Sequence, residues 1–108
     1  MYKRQDYTAR LARTSSAEPV LVRVVGKHCE SGDVVVQADH LPGDAGRGDL
    51  LAVPATGAYH HSLASNYNLI TRPAVVAVAA GEDRVLIRRE TVADLLARDA
   101  GLQTAGAR

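Results

Sequence analysis

The sequence predicts an all-β domain, a barrel or sandwich carrying one or two short helices. Three observations carry that expectation. Short apolar runs rich in β-branched residues recur at close spacing, as in residues 20–25, 34–37 and 74–79. The segments between them are rich in Gly, Asp and Pro, the residues that turns demand. Phe and Trp are absent, so a core must be built from small and β-branched aliphatics, which fit a pleated surface.

Taken in order, residues 1–5 are polar and unpatterned, and residues 6–13 read equally as a short helix or an edge strand. Residues 14–19 form a turn or linker by composition. A strand follows at 20–25, then a polar loop, then a strand at 34–37. Residues 39–49 predict a long surface turn in which Leu41, ahead of Pro42 and Gly43, can tuck one apolar anchor inward. Residues 50–53 are a further apolar run ended by Pro54, and residues 59–65 suit about two turns of helix. Pro73 opens the strand 74–79. Residues 80–83 form a hairpin-like turn into the strand 84–89, where basic residues alternate with Val85, Leu86 and Ile87. Thr91 and Asp94 read as a capping box for a short helix, with Asp in place of the usual Glu or Gln. Residues from Gly101 onward read as a frayed tail.

Composition narrows the function classes. With 108 residues, 13 basic and 12 acidic side chains, the chain is nearly neutral and suits one modest domain. It lacks the concentrated basic face that phosphate-backbone binding needs, so nucleic acid is not an expected partner. No apolar run reaches membrane-spanning length, and a single cysteine permits no internal disulfide, so a soluble protein of the cytoplasm is expected.

Chemistry centres on Gly26-Lys27-His28-Cys29-Glu30-Ser31-Gly32-Asp33, a polar loop between two apolar strands. Cys29 admits three readings: a nucleophile activated by Lys27 or His28, a proton donor, or a buried structural thiol, the commonest fate of a lone cysteine. Residues alone rank the structural reading first. Glu30 is either an active carboxylate or a loop hydrogen-bonding group. Tyr59 and Tyr67 read as half-buried core aromatics, although Gly57 and Ala58 leave room for a ligand near the Tyr59 hydroxyl. His28, His40, His60 and His61 fit no zinc spacing, so no metal is expected.

The loop also resembles the Cys-Glu-Ser-x-Asp motif region of diaminopimelate decarboxylases. Gly48-Asp49-Leu50-Leu51, Thr56-Gly57-Ala58-Tyr59, Ser65-Asn66-Tyr67-Asn68, the run from Pro73 to Val78, and Arg88-Arg89-Glu90-Thr91 are similar to that family's later landmarks, in the same order. The resemblance extends over about residues 6–98. It implies the C-terminal β-domain of a pyridoxal 5'-phosphate enzyme of the alanine racemase-like group, whose TIM-type barrel carries the Schiff-base lysine. It further implies a homodimer in which Cys29 and Glu30 reach the partner's site. Glu30 would bind the distal amino group of meso-diaminopimelate, and Cys29 would return a proton to the carbon that loses carbon dioxide. Tyr59 would lie at the cofactor phosphate in its own subunit.

Departures set the expectations for this chain. Its lysines, Lys3 and Lys27, match no Schiff-base context, and no glycine-rich phosphate loop is present. Residues 1–5 match nothing in the family and read as a foreign leader, such as a truncated or misassembled frame would leave. The expected organisation is a leader at 1–5, the β-domain at 6–100 and a flexible tail at 101–108, inactive by itself. Exposed apolar surface and open strand edges are expected where the barrel would pack. The alternatives are a free-standing interaction or complementation module, or part of another basic amino-acid decarboxylase, which the Glu after Cys29 disfavours.

Overall fold

The computed structural model describes residues 7–102. The expected leader, with Lys3, and the tail beyond residue 102 lie outside them. The chain divides into two compact units, one reaching to Ala58 and the other starting at Tyr59.

In the first unit, strands β2 (Pro19–Val25) and β3 (Val34–Pro42) form an antiparallel hairpin whose register runs from Pro19↔Pro42 to Val25↔Val34. Irregularities flank Val24, between Val22↔Asp39 and Val25↔Val34. β3 continues five residues past the strand expected at 34–37. The Asp and Pro that suggested a turn there are overruled by pairing with β2 and by the side chains of Asp39 and Leu41. Asp39 accepts the Ala9 main-chain N–H at 2.9 Å, and Leu41 is buried as the expected anchor. The N-terminal segment resolves as an edge strand, β1 (Arg10–Leu11), paired antiparallel with β4 (Leu51–Ala52).

The buried core of this unit is Ala9, Val36 and Leu41, with Tyr7, Val22, Val24, Val35 and Val53 packed around it. Arg13 closes the remaining turn after β3. Its guanidinium grips Asp49 through Nε and Nη2, at 2.7 and 2.9 Å, and Asp44 through Nη1 at 3.2 Å. Paired with Arg13 and accepting the Gly46 N–H, the Asp49 carboxyl titrates well below the usual range, at about 2.

The helix α1 (Gly57–Leu63) leads into the second unit, starting two residues earlier than expected. A 3₁₀ turn at Tyr67–Leu69 follows, and then the hairpin of β5 (Val75–Ala79) and β6 (Glu82–Ile87). Ala79 pairs with Glu82, so the turn is just Ala80 and Gly81, both at positive φ (52° and 76°), as a type I′ turn requires. Glu82 and Asp83 therefore belong to the strand, not to the expected four-residue turn. The short helix α2 (Val92–Leu96) opens with the predicted capping box: Thr91 Oγ1 accepts from the Asp94 N–H, and the Asp94 carboxylate accepts from the Thr91 N–H.

The expected barrel or sandwich is realised only in its coarser sense. The described strands make three separate two-stranded antiparallel sheets with short helices, and they do not close into a barrel. The reason is visible in β6, all of whose residues are exposed. With β6 uncovered and only Val75 and Ala77 of β5 half-buried, this ladder has little to curl around.

Leu41→Ala should lower stability by about 2–3 kcal/mol, at the low end for a buried leucine because the core is small. Val78→Ala, at a 75% exposed position, should change it by less than about 0.5 kcal/mol. Denaturant unfolding of the two variants measures the contrast. Ala80→Asn, placing an αL-tolerant residue at φ 52°, should stabilise by about 0.5–1 kcal/mol in the same assay.

Candidate functional site

Strands β2 and β3 stay paired past the irregularities at Val24 as far as Val25↔Val34, and the loop that carries Cys29 and Glu30 is then closed by hydrogen bonds to itself. The Gly26 N–H donates to the Asp33 carbonyl at 2.9 Å, and the Asp33 N–H donates to the Glu30 carbonyl at 3.2 Å. The Glu30 N–H donates to the His28 carbonyl, and the Val34 N–H to the Gly32 carbonyl, both at 2.8 Å. Asp33 Oδ2 accepts the His28 main-chain N–H at 2.9 Å and meets His28 Nδ1 at 3.0 Å. These bonds, the His28 N–H first, hold the Asp33 carboxyl below its ordinary 3.8, so it stays ionised at neutral pH. An ionised carboxylate only accepts, so the His28 ring carries its proton on Nδ1.

At the tip, Cys29 and Glu30 are both exposed. The structural reading of Cys29, first on residues alone, is therefore set aside: the thiol belongs to no core. Glu30 turns one oxygen, Oε1, onto the Gly32 N–H at 2.8 Å. Its other oxygen has no hydrogen bond among the described residues, and a carboxylate so placed can take an ammonium group. The loop thus offers a thiol and an anchored carboxylate side by side.

Tyr59 lies in the second unit, in the first turn of α1, and is 61% exposed. Tyr67 is 52% exposed on the 3₁₀ turn. Neither is the half-buried core aromatic that the sequence suggested, because among the described residues this unit has no fully buried side chain to pack them against. A β-carbon at Gly57 would meet no side chain or distant backbone within 4 Å. His60 is half-buried and His61 exposed, and no group of three or more metal-ligating side chains occurs among the described residues. No helix among the described residues is long and apolar enough to cross a membrane.

The second unit contains a polar centre to which the sequence reading gave no role. Glu90 Oε2 accepts from the Asn66 side chain and from the Arg72 main-chain N–H, both at 2.7 Å, while Oε1 pairs with Arg72 Nη1 at 2.9 Å. Arg72 Nε donates to the Ala64 carbonyl at 3.0 Å, and Asn66 Nδ2 also donates to the Ile70 carbonyl at 3.0 Å. The clamp braces a turn in which Asn68 and Leu69 both hold positive φ, 56° and 57°, a costly state for leucine. The available signal was an acid directly after the basic run Arg88-Arg89, but nothing local shows that its partners lie 18 and 24 residues away.

Comparison with known proteins bears on both units. Residues 1–57 match the family model of the pyridoxal-dependent decarboxylase, C-terminal sheet domain. The chain is 59% identical over 92 residues to the diaminopimelate decarboxylase of Mycobacterium tuberculosis strain H37Rv, covering 84% of this chain and 21% of that one. It is 57% identical over 93 residues to the diaminopimelate decarboxylase of Actinosynnema pretiosum, covering 86% and 21%. A crystal structure of diaminopimelate decarboxylase superposes with a TM-score of 0.73 at 34% identity, covering 84% of this chain and 24% of that one. The chain thus spans about a fifth of the length of the curated relatives it matches.

The Glu90 clamp has a pH signature. Its contacts, the Arg72 N–H first, lower the Glu90 carboxyl below its ordinary 4.5. The folded value is depressed, so the clamp's contribution is complete above about pH 4.5 and is lost as pH falls through the lower folded value. Glu90→Gln should reduce stability at neutral pH and flatten the acid limb of stability against pH. Denaturation midpoints of parent and variant between about pH 7 and 2 test this, and parallel curves would exclude it.

Proposed function

We propose a function from one premise: the chain belongs to the pyridoxal-dependent decarboxylases and corresponds to the C-terminal sheet domain of a diaminopimelate decarboxylase. In the complete enzyme the activity would be release of carbon dioxide from meso-diaminopimelate to give L-lysine, at a site completed by a pyridoxal phosphate barrel. The observation that supports this chain's part in it is the loop tip, where an exposed thiol and an exposed carboxylate are presented together on a braced hairpin end.

Each residue type suits its role. Glu30, with Oε1 fixed on Gly32, would direct its other oxygen to the distal ammonium of the substrate. A substrate lacking that ammonium would leave the carboxylate desolvated and unpaired, which is a strong basis for selection. Cys29 would hold the proton delivered to the carbon that has lost carbon dioxide, without adding a fixed charge beside the ring. Tyr59, exposed in the first turn of α1, has a hydroxyl suited to a phosphate oxygen. The cofactor supplies the electron sink; the protein supplies orientation and the proton. This donor set fits part of a pyridoxal phosphate site and not the Schiff base: Lys27, the lysine among the described residues, is exposed in the loop. In the family's homodimer the loop would enter the partner subunit's site.

A second reading has its own observation. Val78, Val85 and Leu86 leave apolar side chains exposed on the β5–β6 hairpin. Such a surface suits a domain that complements a separately supplied barrel, and the same experiment addresses it.

The 108 residues alone, given pyridoxal phosphate, should release no carbon dioxide from meso-diaminopimelate; joined to or mixed with a diaminopimelate decarboxylase barrel, they should. In that assembly Cys29→Ala should lower kcat by about 10²–10⁴-fold, the usual worth of a positioned proton donor. Glu30→Gln should act chiefly on KM, raising it about ten- to a hundredfold, as loss of a hydrogen bond between charged groups would. Release of carbon dioxide by the chain alone, or activity indifferent to both substitutions, would sink the proposal.

A further inference from the structure

We infer that Asp33 is the positioning residue of the Cys29–Glu30 turn; its consequence for activity rests on the decarboxylase reading above. Through Oδ2 it holds both the main-chain N–H and the ring of His28, the residue immediately before the thiol. Through its own backbone it holds the other side of the turn, accepting from Gly26 and donating to the Glu30 carbonyl. Cys29 and Glu30 thus sit between two attachments that both end on Asp33. The side chain is half-buried where theirs are exposed, and it remains ionised at neutral pH, so the grip on His28 does not lapse.

Gly26 supplies the independent observation. A β-carbon at Gly26 would overlap all the terminal atoms of the Asp33 carboxyl group, main chain excluded. Gly26 does not hold a positive φ, so the position does not need glycine's conformational freedom. It needs the space. The glycine leaves a seat on β2's end, and the carboxylate occupies it.

The two residues are therefore coupled, and the coupling is testable in the chain joined to a diaminopimelate decarboxylase barrel. Asp33→Ala and Gly26→Ala should each lower kcat/KM for meso-diaminopimelate by about ten- to a hundredfold, the scale of a sub-ångström to ångström misplacement. Both parameters should move, KM through Glu30 and kcat through Cys29. Asp33→Asn, which keeps an acceptor for the His28 N–H, should recover most of the loss. Adding Gly26→Ala to Asp33→Ala should cost nothing further, because the seat is already empty. Full activity in Asp33→Ala or Gly26→Ala, or strictly additive losses, would overturn the inference.

Amide spectra of the full 108-residue chain separate positioning from general damage. In both single variants the His28 and Glu30 signals should shift while those of Val24 and Val36 stay at their parent positions; loss of the Val24 and Val36 signals would overturn a positioning role. Should the parent assembly release no carbon dioxide, the decarboxylase reading fails by itself. The inference about Asp33 is then decided by whether the two substitutions remain non-additive in the His28 and Glu30 shifts.

Discussion

Carboxylates that accept main-chain N–H groups are the interaction on which the structure most depends. Among the described residues the buried apolar core is Ala9, Val36 and Leu41, too little by itself to order the loops between the strands. At successive points an acidic side chain does so instead. Asp33 holds His28, Asp39 holds Ala9, Asp49 holds Gly46, Glu90 holds Arg72 and Asp94 holds Thr91. Each of these carboxyls is lowered in pKa, and a backbone N–H is the first or second cause in every case. An ionised carboxylate satisfies a donor that would otherwise depend on water, and charge makes the bond stronger than a neutral one.

Several of these carboxylates also receive a cation. Arg13 bridges Asp44 and Asp49, Arg72 embraces Glu90, and Arg88 takes Asp94 with two nitrogens at 2.6 and 2.7 Å. Exposed ion pairs contribute little by themselves. Their value here is geometric: the planar guanidinium fixes the carboxylate, and the carboxylate fixes the main chain. Asp33 takes both the main-chain N–H and the side chain of one residue, as Glu90 does with Arg72, but its side-chain partner is the imidazole of His28. That concentrates the constraint on one peptide, directly ahead of the thiol.

The distribution of apolar surface divides the two units. The first encloses its few core residues between β3 and the segments around it. The second leaves every residue of β6 exposed and braces the turn at Tyr67–Leu69 with the Glu90 clamp. Leu69, at positive φ and 79% exposed, is the extreme case of an apolar side chain displayed by a turn that would rather hold asparagine or glycine. The decarboxylase relatives are about five times longer than the stretch matched here.

What the sequence determined by itself was local. Strands β2 and β5 follow from β-branched runs, the α2 cap from Thr91 and Asp94, and the placement of Cys29 and Glu30 in a loop from flanking glycines and strands. These depend on neighbours within a few residues, which composition and spacing record. Tertiary structure decided the rest. It carried β3 through Asp39 and Pro42, left Tyr59, Tyr67 and Cys29 exposed, and kept the strands in separate pairs short of a barrel. It also joined Glu90 to Arg72 and Asn66, and set Asp33 into the space beside Gly26. Burial and long-range pairing depend on which surfaces meet, and a one-dimensional pattern shows which residues want a partner without showing which partner the fold supplies.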